Sequence, residues 1–169
     1  MILMTERPQT RERRTWAAYA AAWWAGLFAA VSLYWALGGT IGLDTVGGQI
    51  EELARKGEGD VLAWGATVLK VAGVIFALAL VQRWGRIFPR GLMLVGGWAG
   101  TAVLIVYGGV TVGTELLVVI GVLEPPAGID WYAFYWHLAV WDPYFVIWGI
   151  LLGIAVRHYQ VDTRQAAIR

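Results

Sequence analysis

Four runs of predominantly apolar residues, at about 16–38, 61–82, 91–113 and 133–156, limit what this chain can fold into more than any other feature. A hydrocarbon layer of ~30 Å takes ~20 apolar residues to cross as a helix. In lipid every backbone N–H and C=O must be satisfied inside the structure, which leaves helices or closed barrels. The expectation is therefore an all-α membrane protein: a four-transmembrane-helix bundle forming one domain over 16–156, with a basic N-tail over 1–15 and a C-tail over 157–169. Composition agrees, since 59% of residues are hydrophobic and only 15% charged, against ~25% charged in soluble domains.

The ends of the runs carry ordinary signals. Pro89 stands just ahead of the third helix, where its missing N–H costs nothing, and Asp130 is placed to cap the fourth. The third run has no clear end, because apolar residues continue past Glu115 to Leu123. The first run reads as an uncleaved anchor: only a few apolar residues precede the small-residue site at Ala20–Ala22, too few for a signal peptide. Residues 49–56 read as a short surface helix with Glu51–Arg55 and Glu52–Lys56 pairs.

Charge sets the expected orientation. Arg7, Arg11, Arg13, Arg14, Arg83, Arg86, Arg90, Arg157, Arg164 and Arg169 fall on one side, Arg55 and Lys56 on the other. Both termini are expected in the cytoplasm, with Trp131, Tyr132, Tyr135 and Trp136 in the opposite aromatic belt.

The zero cysteine count excludes disulfide exchange, thiolate catalysis and Cys-ligated zinc. Nucleic acid is excluded as a partner, since no basic stripe is interleaved with aromatics. No histidine pair or catalytic spacing is present, so neither a cofactor nor a metal is assigned and no catalytic residue is named.

What remains is polar chemistry inside the apolar runs. Lys70 lies nine residues into the second run and Asp142 nine into the fourth, which places both at the same depth, ~13 Å at 1.5 Å per residue. Charges there are costly and tend to be paired. A Lys70–Asp142 intramembrane charge pair is expected, with Lys70 also reaching the Ala139 carbonyl that Pro143 deprives of its N–H partner. His137, about 140° around an α-helix from Asp142, falls with Trp141, Tyr144 and Trp148. His137, Glu115, Trp141 and Tyr34 are the other candidate polar or ligand-site residues. Ala18, Ala22, Ala25, Ala29, Ser32 and Ala36 form a small-residue seam along the first helix, and Gly149 and Gly153 form another on the fourth; such seams let helices approach closely.

Tyr34-Trp35-Ala36-Leu37-Gly38-Gly39-Thr40 with Gly42-Leu43-Asp44-Thr45, Lys70, and Trp136-His137-Leu138 with Trp141-Asp142-Pro143 resemble a bacterial, actinobacterial-type family of small four-span integral membrane proteins, a domain of unknown function. The resemblance implies a single four-helix domain in the bacterial cytoplasmic membrane and implies no activity. The function expected is a non-catalytic bundle, in contact with the lipid bilayer, that self-associates or binds another membrane protein. Two alternatives stay open: an ion- or proton-coupled transporter working as a dimer, and an outer-leaflet lipid- or quinone-modifying enzyme using His137.

Overall fold

A computed structural model describes residues 9–56 and 60–166. Among the described residues the regular structure is helical throughout: α1 (Gln9–Ala36), a 3-10 turn (Leu43–Thr45), α2 (Gly48–Arg55), α3 (Asp60–Ala79), a second 3-10 turn (Arg83–Ile87), α4 (Arg90–Val119), α5 (Trp131–Trp136), a π turn (His137–Trp141) and α6 (Asp142–Ala166). Four segments, Thr15–Ala36, Val61–Ala79, Arg90–Val119 and Trp131–Gln165, are long and apolar enough to cross a membrane. The open end of the third run resolves here. α4 continues through Glu115 to Val119, a helix of 30 residues and so ~45 Å long. Asp130 caps α5, its carboxylate accepting from the N–H groups of Tyr132 and Ala133.

The helices do not share the core equally. Over the apolar 18-residue stretch of each segment, 44% is buried in Thr15–Ala36 and in Trp131–Gln165, against 11% in Val61–Ala79 and 6% in Arg90–Val119. α1 and α6 are thus the central pair, α3 lies on α1, and α4 lies on α6. The small residues of α1 explain its place: Ala18, Ala22, Ala25, Ala29, Ser32 and Ala36 are all buried, as are Ala17 and Ala21. A helix with little side chain on two faces can be approached from both, here by α3 and α6.

Glycine does the same for α4 and α6, from both partners. A Cβ on Gly97 would fall 2.5 Å from Val156, one on Gly149 2.7 Å from Ile105, and one on Gly153 3.0 Å from Thr101. The Gly149–Gly153 seam therefore faces α4. Trp148, one residue away, reaches instead toward α3, where its ring occupies the space that a side chain on Gly73 would need.

At the end of the bundle that carries the termini, Ala17, Ala18, Ala79, Leu80, Met93, Leu152, Ala155 and Val156 bring all four long helices together. One layer further in, the buried residues Ala21, Ala22, Ala25, Ala77 and Trp148 come from α1, α3 and α6, and α4 adds only the partly buried Leu104. α4 has left α3, and beyond that layer the bundle opens into a cavity.

Candidate functional site

The cavity holds about 300 Å³, at the lower end of ligand-pocket volumes. Its floor and sides are Phe28, Trp141, Phe145 and Tyr107; Ser32 and Lys70 form one wall, His137 and Asp142 the other, and residues 38–46 roof it. Of the lining residues on the long helices, Leu62 of α3 and Tyr107 of α4 are half-exposed. The cavity is thus least covered, among the long helices, on the sides of α3 and α4.

Local sequence explains each wall. Pro143 has no N–H to give the carbonyl four residues back. The helix answers by widening: the Asp142 N–H bonds the His137 carbonyl, a five-residue step, and the turn His137–Trp141 is π-helical. In a regular α-helix His137 and Asp142 would point ~140° apart. The wider turn brings the fifth residue back over the first. As a result His137 Nδ1 lies 3.2 Å from Asp142 Oδ2, and Asp142 is only 3% exposed.

The roof is a glycine loop pinned to that same turn. Gly38, Gly42, Gly47 and Gly48 all have positive φ, and Gly47 packs so closely on α5 that a Cβ would fall 2.5 Å from Ala133. This path delivers two carbonyls to the π turn. Val46 O lies 3.0 Å from His137 Nε2, and Thr45 O accepts from Trp141 Nε1 at 3.1 Å. Trp35 Nε1 donates to Ile41 O at 3.1 Å, and the Tyr34 hydroxyl accepts from the Ile41 N–H at 3.2 Å. The two stretches that carry the family resemblance are therefore one structure, a loop clamped onto a helix defect. Trp141→Phe removes one clamp and strands Thr45 O, so a loss of about 1 kcal/mol is expected, with faster proteolysis within 37–48 as the check.

Lys70 and Asp142 face the same cavity but do not touch. Among the described residues no ion pair within 4.0 Å joins them. The Lys70 ammonium instead donates to Ser32 Oγ at 2.6 Å and stands 4.3 Å above the Phe28 ring, a cation–π contact. This corrects the expected direct pair and the expected bridge to the Ala139 carbonyl. Equal depth puts two groups in one layer and says nothing of azimuth, and a hydroxyl and an aromatic face on α1 are nearer to Lys70 than α6 is. It also corrects the placing of His137 in an aromatic stripe away from Asp142.

The structure thus gathers Lys70, His137, Asp142 and Trp141 around one cavity. Glu115 lies directly beside it, with one ligand atom each of Glu115, His137 and Asp142 within 4.8 Å of one another. Tyr34 stays outside and serves the loop. Phe28, Ser32 as a hydrogen-bond partner, and the Val46 carbonyl were not singled out from the sequence; Phe28 and Ser32, four apart on α1, share a face, and that spacing was the available signal.

A family model described as a protein of unknown function (DUF3995) matches residues 25–152, 128 of the 169 residues. The chain belongs to the DUF3995 family. The match takes in every residue of the DUF3995 cavity and clamp and leaves out both tails. No curated protein and no solved structure matches the chain.

Proposed function

We propose that this DUF3995 protein spans a bacterial cytoplasmic membrane with both termini inside, and that it is a non-catalytic binding protein for an amphiphile with an anionic head. The observation that carries the reading is Lys70, facing an aromatic-walled cavity with no carboxylate in contact. Asp142 is matched by His137, whose two ring nitrogens face Asp142 and Val46 O. Lys70 has only a neutral hydroxyl and a ring, so its charge and remaining N–H donors are directed at whatever enters. The thinner cover on the sides of α3 and α4 suits a chain that stays in lipid while its head sits inside. The basic bias of the two tails and residues 83–90 supports the orientation.

Quenching of tryptophan fluorescence by a fatty acid brominated at C2, beside its carboxylate, in detergent tests it, since Trp35 and Trp141 line the cavity. Saturable quenching is expected, about tenfold weaker in Lys70→Met, because a charge-assisted hydrogen bond contributes ~1.5–3 kcal/mol. Ala66→Trp, which fills the cavity, abolishes it. Quenching unchanged by both substitutions rules the reading out.

A second reading, acid–base chemistry on such an amphiphile, is favoured by the His137–Asp142 contact at the cavity wall, since a catalytic base needs a second polar group to orient it. Conversion of a bound amphiphile by wild-type protein, lost in His137→Gln with quenching retained, distinguishes catalysis from binding.

A further inference from the structure

The cluster of Glu115, His137 and Asp142 gathers an imidazole and two carboxyl groups closely enough for one cation to hold all three. His137 Nε2 lies 3.0 Å from Val46 O. A carbonyl can only accept, so Nε2 carries the hydrogen, and in the neutral ring Nδ1 presents its lone pair. That lone pair faces Asp142 Oδ2 at 3.2 Å. Glu115 adds a second carboxylate, and its Oε2 is buried without a hydrogen-bond partner among the described residues. Three electron-rich atoms therefore converge within 4.8 Å, in a layer where charge is poorly solvated. Protons can balance the cluster, one on His137 directed at Asp142 and one shared between the two carboxyl groups; a dication compensates both carboxylates at once and takes the place of both protons.

The imidazole is held as a metal-ligating histidine is held. One nitrogen points into the cluster, and the other donates to a backbone carbonyl that fixes tautomer and ring angle. The carbonyl comes from the glycine loop, an element separate from both helices that carry the ligands. We propose that Glu115, His137 and Asp142 bind one first-row divalent cation of the zinc or manganese class, through His137 Nδ1 and one oxygen from each carboxylate, with a coordination position left toward the cavity. Imidazole with carboxylates and no thiolate selects that class. Ligands at ~2.0–2.2 Å from an ion stand ~3.4 Å apart in a tetrahedral set, close to the present His137–Asp142 spacing. Glu115, with three side-chain torsions on the neighbouring helix, supplies the inward movement of about an ångström. The inference deepens the proposed binding function, because an ion at this wall and Lys70 opposite would both attract an anionic head, yet ion binding is measurable without any amphiphile.

The test uses the full-length, tag-free protein in detergent, stripped with chelator and dialysed against Zn²⁺, Mn²⁺ or Co²⁺. One Zn²⁺ or Mn²⁺ per chain is expected by elemental analysis, with visible d–d absorption from the Co²⁺ form. Glu115→Gln and His137→Gln each weaken binding at least tenfold, while His158→Gln, at the other end of the bundle, leaves it unchanged. Stoichiometry unaffected by the double variant Glu115→Gln/His137→Gln overturns the proposal. So does a wild-type Co²⁺ sample without d–d bands, a result that needs no variant to fold. If ion binding fails while fatty-acid quenching persists, the cation alone is refuted; if ion binding holds and quenching fails, the amphiphile reading falls and the cation stands.

Discussion

Asp142→Ala is expected to lower the stability of the detergent-solubilised protein by about 3 kcal/mol, the upper end for leaving a buried polar partner unsatisfied. The cause is less the bond lost than what it leaves behind. Asp142 is 3% exposed, and its carboxylate faces the His137 ring that also holds the roof through Val46. Truncation leaves His137 Nδ1 without its partner and a void at the mid-depth of the bundle, next to the one turn already weakened by Pro143. Asp142→Asn keeps volume and one acceptor, and about half the loss is expected. A double-mutant cycle in SDS titration apportions the effect. His137→Phe with Asp142→Asn should be non-additive by about 1 kcal/mol or more, as touching residues are. Lys70→Met with Asp142→Asn should be additive to within about 0.5 kcal/mol, as residues without a shared partner are. The reverse order would mean that charge across the cavity, and not contact along the π turn, sets the stability of Asp142.

The length and apolarity of four runs were enough to give four long helices, because run length is a one-dimensional property. The cap at Asp130 was legible for the same reason, and the count along the runs put Lys70 and Asp142 together, as their common cavity does. Azimuth was not legible, and it failed at the point where the helix stops being regular. His137 and Asp142 stand five apart, a spacing that no α-helical pattern joins; only the π turn makes them neighbours. Pro143 announced that a bond would be missing but not whether the helix would kink, pair its carbonyl elsewhere or widen. Glu115 was visible as a candidate polar residue where the third run continues, yet its company depends on how far α4 slides along α6. The loop carbonyls that hold His137 and Trp141 lie about 90 residues away in sequence and carry no side-chain signature at all, since any residue at Thr45 or Val46 offers the same acceptor. Only the glycines that shape their path could be read.

The sliding of α4 on α6 is fixed at Gly108, and Gly108→Val is expected to cost about 3 kcal/mol, at the upper end for overpacking. A Cβ there would stand 2.8 Å from the Asp142 carbonyl oxygen, 2.9 Å from Val146 Cγ2 and 3.0 Å from Phe145 Cβ. Two of these are side-chain carbons that give a little; the first is backbone at the edge of the π turn and cannot retreat without undoing the turn. α4 must therefore move outward. Glu115 lies seven residues on, two turns along the same face, so the same displacement draws its carboxylate away from His137 and Asp142. Gly109 supplies the control: a Cβ there meets nothing within 4 Å, and Gly109→Ala should be neutral or gain up to ~1 kcal/mol from helix propensity. Thermal unfolding of the pair in one detergent checks the sign and size. Zn²⁺ uptake by Gly108→Val, compared at a temperature where the variant is still folded, then separates lost packing from a dispersed cluster. Uptake at the wild-type level would show that the Glu115 side chain still reaches His137 and Asp142 after α4 has moved.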